Sequence, residues 1–127
     1  MRKLHVLHLE DNDADAFFIR HALETCGLDV EIVVASSREE YLAILNGGGV
    51  DLILSDHGLP GFSGSAALNI AYEKHPGIPF IFVFGSTNEK EIEESLNAGA
   101  VDYVSKNEPG KLADIIRRVT SGPAGSR

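Results

Sequence analysis

Apolar residues in this chain fall into short runs separated by longer stretches in which they recur every three or four positions. Leu4 to Leu9 alternates apolar residues with His5 and His8 and predicts a first strand, stopped by Glu10-Asp11-Asn12-Asp13. Ala16, Ile19, Leu23 and Cys26 follow at spacings of 3, 4 and 3, one face of a helix that Gly27 ends. Glu31 to Ala35 predicts a second strand. Ser37 with Glu40 three residues on is a capping-box signature, opening a helix that carries Tyr41, Leu42 and Leu45 and closes at Gly47-Gly48-Gly49.

Leu52-Ile53-Leu54 is a third apolar run, of the kind produced by a strand buried on both faces. It stops at Asp56. His57-Gly58-Leu59-Pro60-Gly61 cannot continue it, because Gly58 and Gly61 permit unusual backbone angles and Pro60 presets a turn. Ser65 to Lys74 predicts a third helix, stopped by Pro76-Gly77 and Pro79. Phe80 to Phe84 is an uninterrupted apolar run and a fourth buried strand. Asn88 with Glu91 caps a fourth helix, with Ile92 and Leu96 inward and Ala98-Gly99-Ala100 at its exit. Val101 to Ser105 is a fifth strand ending in Lys106, and Leu112, Ile115, Ile116 and Val119 mark a last amphipathic helix. Residues 121–127, rich in Gly, Ser and Pro, predict a flexible tail or the start of a linker after a folded unit over 1–120.

Strands and helices alternate five times with short connections, which predicts an α/β fold: a doubly wound, five-stranded parallel sheet with helices on both faces. Composition narrows the partners. At 127 residues with 43% apolar content, the chain makes one globular domain. A net charge of −8 argues against direct binding to nucleic acid or to an anionic membrane. The one cysteine, Cys26, cannot form an intrachain disulfide and suits a reducing compartment. No apolar segment is long enough for a signal peptide or a membrane span, so the expectation is a cytoplasmic protein.

Three strand ends carry matched chemistry: Glu10 and Asp11 after the first, Asp56 after the third, Lys106 after the fifth. In a parallel sheet these ends share one edge, the edge where open α/β sheets bind ligands. Taken singly, Asp56 is a turn residue, the acidic run a solvated helix start and Lys106 a solvated lysine; their conjunction carries the weight. Three carboxylates so close repel and call for a cation, and Mg²⁺ suits an all-oxygen site that leaves positions for water and phosphate. Such a site can move a phosphoryl group onto Asp56. A carboxylate ionised at neutral pH needs no general base, and metal and lysine neutralise the anionic donor. His57, beside Asp56, suggests acid–base chemistry, but an exposed loop histidine is the simpler reading.

With these residues in place, the chain resembles the receiver domain of two-component response regulators along nearly its whole length. Glu10-Asp11-Asn12, Ser55-Asp56 with Leu59-Pro60-Gly61 and Gly64, and Ala98-Gly99-Ala100 with Asp102-Tyr103-Val104 and Lys106 stand in family order and spacing. The Glu-Asp-Asn form and the string Ile78-Pro79-Phe80-Ile81-Phe82-Val83 resemble receivers associated with hybrid sensor kinases. The resemblance implies a flavodoxin-like sheet of strand order 2-1-3-4-5. It implies that Asp56 accepts a phosphoryl group from a histidine kinase or histidine phosphotransfer protein. It further implies that Glu10, Asp11, Asp56 and the main-chain carbonyl of Gly58 place Mg²⁺, that Lys106 contacts the phosphate, and that Tyr103 is the switch aromatic.

Two positions depart from the family pattern. Receivers place Ser or Thr at the end of the fourth strand, where counting back from Lys106 without gaps gives Phe84; Gly85 matches the small residue that follows, and Ser86 lies two residues downstream. The family lysine usually precedes proline, often through a cis bond. Here Asn107 follows, and a trans peptide is expected.

The expected function is that of a phosphoacceptor in Mg²⁺-dependent phosphorelay signalling, not an enzyme on other substrates, with switching made atypical by Phe84. Output would pass through a downstream protein partner or a fused effector domain. The family's usual output face, built from the fourth helix, fifth strand and last helix, would carry Glu89, Lys90, Glu93, Glu94, Lys111, Arg117 and Arg118. The alternative is a receiver-like interaction module that works without phosphorylation. An aspartyl-phosphate phosphatase fits less well, because its second Asp would stand where Gly58 does. A flavin protein fits worse still, because Glu10 to Asp13 would repel the flavin phosphate.

Overall fold

A computed structural model describes residues 3–56, 58–59, 61–84, 93, 97, 100 and 102–120. Strand β1 (Leu4–Leu9) leads into helix α1 (Asp13–Thr25), then β2 (Val30–Ala35), α2 (Arg38–Gly47) and β3 (Leu52–Ser55). A small ribbon follows, β4 (Gly58–Leu59) and β5 (Phe62–Ser63), before α3 (Gly64–Lys74), β6 (Phe80–Phe84), β7 (Asp102–Ser105) and α4 (Pro109–Thr120). The expected helix over Asn88, Ile92 and Leu96 and the tail 121–127 lie outside the described residues.

The five long strands pair in parallel in the order β2-β1-β3-β6-β7. This is the expected 2-1-3-4-5 arrangement, with the ribbon inserted before the fourth strand. Alternation along each strand sends side chains to two separate cores. Leu7, Leu9, Ile53, Phe80 and Phe82 pack with Tyr41 and Leu45 of α2 and Leu68 and Ala71 of α3. Val6, Leu52, Leu54, Ile81, Val83 and Val104 pack on the opposite face with Ile19 and Leu23 of α1 and Leu112, Ile115 and Ile116 of α4.

Local chemistry sets the helix ends. Asn12 caps α1 by accepting from the Asp15 amide, and Gly27 adopts φ 89° after the helix. The expected capping box on α2 is half realised. Ser37 accepts from the Glu40 amide, but the Glu40 carboxylate bonds the amide and hydroxyl of Ser36, one residue before the cap. The buried Tyr41 hydroxyl donates to the Ala67 carbonyl at 2.7 Å and ties α2 to α3. After Asp56 the chain does not run as a plain loop: β4 and β5 pair antiparallel about Gly61, at φ 75°, and deliver Ser63 as the cap of α3. No described peptide bond is cis, Lys106–Asn107 included.

Candidate functional site

Leu9 pairs with Ser55, so the residues that follow, Glu10 and Asp56, emerge as neighbours on the carboxyl edge of the sheet. Their backbones are fixed where the ladder ends. The Glu10 amide donates to the Ala35 carbonyl at 2.9 Å and the Asp56 amide to the Leu9 carbonyl at 3.0 Å. Asp11 follows Glu10 on the solvent side. One carboxylate oxygen from each of Glu10, Asp11 and Asp56 lies within 4.8 Å of the others.

Lys106 follows β7, two strand spacings or about 10 Å from β3, so its side chain points back across the end of β6. Its ammonium arrives 2.8 Å from Glu10 Oε1, 2.8 Å from Asp15 Oδ2 and 3.5 Å from Asp56 Oδ1. Burial opposes that charge. Its close contacts with Asp15 and Glu10 and the charge of Asp56 outweigh it, and they hold the ammonium well above its ordinary pKa. Lys106 is therefore a fixed cation.

Glu10 is only 2% exposed, and burial pushes its carboxyl above the usual carboxylate range against the pull of Lys106 and the Asn12 amide. Oε2 accepts from that amide at 3.1 Å. Oε1 is at ion-pair distance from Lys106, yet no described donor is aligned on it. A buried carboxylate oxygen with spare accepting capacity, beside two further hard oxygen donors, fits a divalent cation of the Mg²⁺ type. The three carboxylates expected to ligate Mg²⁺ are thus brought together.

Gly58 lies two residues past Asp56 as the first residue of β4. Tyr103 is half-buried against the core shared with α2 and α3, its amide bonded to the Asp102 carboxylate at 2.8 Å. Phe84 ends β6 opposite Ser105, but its side chain lies outside the described residues, as do Gly85, Ser86 and His57. Two basic residues expected on the output face have local partners. Arg118 pairs with Asp102 at 2.7 Å, and Arg117 bonds the Cys26 carbonyl at the end of α1 and Asp114 on its own helix.

Two residues of the site were missed by sequence reasoning. Asp15 takes Lys106 from the first turn of α1; the signal was its place three residues after the Asn12 cap, which aims it back at the sheet edge. His8 is fully buried with neither ring nitrogen bonded among the described residues. Burial, then the charge of Lys106, depress its pKa to about 4 against the opposing charge of Asp15, so the imidazole is neutral. Its signal was a histidine at an inward position of a strand otherwise lined by Val6, Leu7 and Leu9.

Comparison with known proteins agrees with this fold. The family model described as response regulator receiver domain matches residues 6–119. The two-component response regulator ARR5 of Arabidopsis thaliana is 29% identical over 126 residues, a match covering 90% of this chain and 67% of that protein. The glycerol metabolism activator of Pseudomonas putida is 25% identical over 109 residues, covering 85% of this chain and 45% of that protein, so the chain spans less than half of that relative. Among solved structures, a CheY-like response regulator receiver domain protein from Methanospirillum hungatei JF-1 superposes with a TM-score of 0.79 at 30% identity, covering 94% of this chain and 95% of that one. Among the described residues, no helix is long and apolar enough to cross a membrane.

Proposed function

This chain belongs to the response regulator receiver domain family, and on that ground we propose that it accepts a phosphoryl group on Asp56 from a phosphohistidine donor in a phosphorelay. The observation that carries the reading is the grouping of Glu10, Asp11 and Asp56 oxygens within 4.8 Å, with Lys106 Nζ 3.5 Å from Asp56. The acting unit lies within residues 1–120.

In the proposed reaction an Asp56 carboxylate oxygen attacks phosphorus. The bond from phosphorus to the donor imidazole nitrogen breaks with its electron pair, and an acyl phosphate remains on Asp56. Glu10, Asp11 and Asp56, with the Gly58 main-chain carbonyl, would hold Mg²⁺, which when bound neutralises charge on the phosphoryl oxygens. Lys106 contributes a permanent positive charge at the same edge. Glu10 is fixed in place by the Asn12 amide, so the ligand set is largely preformed. The donor is a histidine kinase or histidine phosphotransfer protein, and output passes to a protein partner or a fused effector domain.

The test is incubation with Mg²⁺ and acetyl phosphate, read by intact mass. One base-labile phosphoryl group should appear, disappear in Asp56→Asn and be reduced in Lys106→Ala. A modification that survives Asp56→Asn overturns the assignment.

Phe84, which stands in the chain where receivers carry a hydroxyl, supports a refinement: phosphorylation proceeds, but Tyr103 responds weakly. A hydroxyl bonded to a charged phosphoryl oxygen is worth about 1.5–3 kcal/mol. Reversing a two-state equilibrium from 1:99 to 99:1 takes about 5.5 kcal/mol. Gly85 or Ser86 would supply at most part of the missing drive. The NMR shift of Tyr103 on adding a phosphoryl mimic should be larger in Phe84→Thr than in wild type; a full shift already present in wild type sinks the refinement.

A further inference from the structure

We propose that Asp15 is a positioning residue that holds the Lys106 ammonium on the α1 side of the crevice and competes for it with an incoming phosphoryl group. The inference rests on Asp56 being the phosphoacceptor.

Three carboxylates surround Nζ, but they do not hold it equally. Asp15 Oδ2, at 2.8 Å, is in hydrogen-bond geometry. Glu10 Oε1, also at 2.8 Å, is an ion-pair contact outside hydrogen-bond angles. Asp56 Oδ1, at 3.5 Å, lies beyond the roughly 2.7–2.9 Å of a strong charge-assisted bond. The directed bond of Lys106 therefore runs to α1, away from the acceptor.

The two close partners also differ in how readily they release the lysine. The Glu10 side chain is 1% exposed, and unpairing it would strand a buried charge. The Asp15 side chain is 42% exposed, so water takes over its solvation when Lys106 leaves. Asp15 is thus the exchangeable ligand of Lys106. A phosphoryl group carrying a charge of about −1.5 to −2 out-competes it, at the cost of breaking one existing bond.

The consequence is a rate set by α1. Asp15→Asn keeps the shape, the capped helix and an acceptor oxygen, but removes the charge that holds Lys106 back. Phosphorylation of Asp56 by acetyl phosphate with Mg²⁺, followed by intact mass, should become about two- to fivefold faster, the scale of one partly exposed ion pair. Asp13→Asn removes the same charge from the same helix turn. Asp13 is not among the three carboxylates around Nζ, so this variant should gain clearly less. In a Lys106→Met background, Asp15→Asn should have no effect. A rate equal to wild type, a gain matched by Asp13→Asn, or a gain that persists in Lys106→Met overturns the proposal. If wild type itself takes no phosphoryl group, the phosphoacceptor reading fails separately. The positioning of Lys106 is then decided by Mg²⁺ titration alone. Asp15→Asn should weaken Mg²⁺ more than Asp13→Asn does, because the freed ammonium settles on Glu10 and Asp56. Equal weakening overturns it.

Discussion

Leu9 and Ser55 are register partners across β1 and β3, and this pairing makes Glu10 and Asp56 leave the sheet side by side. Two carboxylates so placed, with Asp11 beside them, repel, and any cation that binds them stabilises the fold. Mg²⁺ should therefore raise the melting temperature by mass action, adding about 1.4 kcal/mol at a tenfold excess over its Kd. A thermal titration checks this, and Asp56→Ala should blunt the rise. An equal rise in the variant would place the cation elsewhere.

Lys106→Met leaves Glu10 buried beside acidic neighbours with no compensating charge. Breaking a buried ion pair from one side costs about 3–5 kcal/mol, and the partial exposure of Asp15 and Asp56 moves the expectation to the low end of that range. Chemical denaturation without Mg²⁺ should show the loss, and saturating Mg²⁺ should restore part of it. Stability equal to wild type in the absence of metal would mean that Lys106 does not compensate Glu10.

His8 sets a pH dependence of definite sign. Its pKa is depressed from 6.5 to about 4 in the folded protein. The unfolded chain therefore binds the extra proton first, and stability present above pH 6.5 is lost as pH falls towards 4. The full loss from this residue is about 3 kcal/mol, because each tenfold difference in proton affinity between the two states is worth about 1.4 kcal/mol. Glu10, whose carboxyl is raised, acts in the opposite sense in acid, so the informative quantity is a difference. Denaturation of wild type and His8→Leu at several pH values should show the gap between them widening as pH drops from 6.5. A gap independent of pH would count against a neutral buried His8.

The bond from Tyr41 to the Ala67 carbonyl is a polar tie between α2 and α3 beside an apolar core. Tyr41→Phe removes the donor and leaves the ring contact with Phe62 in place. The expected cost is about 1 kcal/mol, measurable by urea denaturation with an unchanged slope. No loss would mean that water or another donor replaces the hydroxyl.

Local patterns along the chain suffice for the alternation of elements, the two-faced parallel sheet and the edge on which Glu10, Asp11, Asp56 and Lys106 meet. The patterns are apolar runs that can only be buried strands, spacings of three and four that mark helix faces, and charges standing where the runs break. How those charges pair is settled only when the layers assemble. Nothing local says that a lysine after β7 reaches past β6 to bond Asp15 on α1 more directly than Asp56. That depends on the packing of α1 against the sheet edge and on which carboxylate keeps contact with water. Nor does a strand pattern say that His8 is fully buried with no hydrogen-bond partner among the described residues, or that the turn after Asp56 closes into a ribbon about Gly61. Burial and long-range electrostatics are properties of the packed layers. Glu10, Asp11, Asp56 and Lys106 were therefore legible in the chain; Asp15, His8 and the balance of forces among them were not.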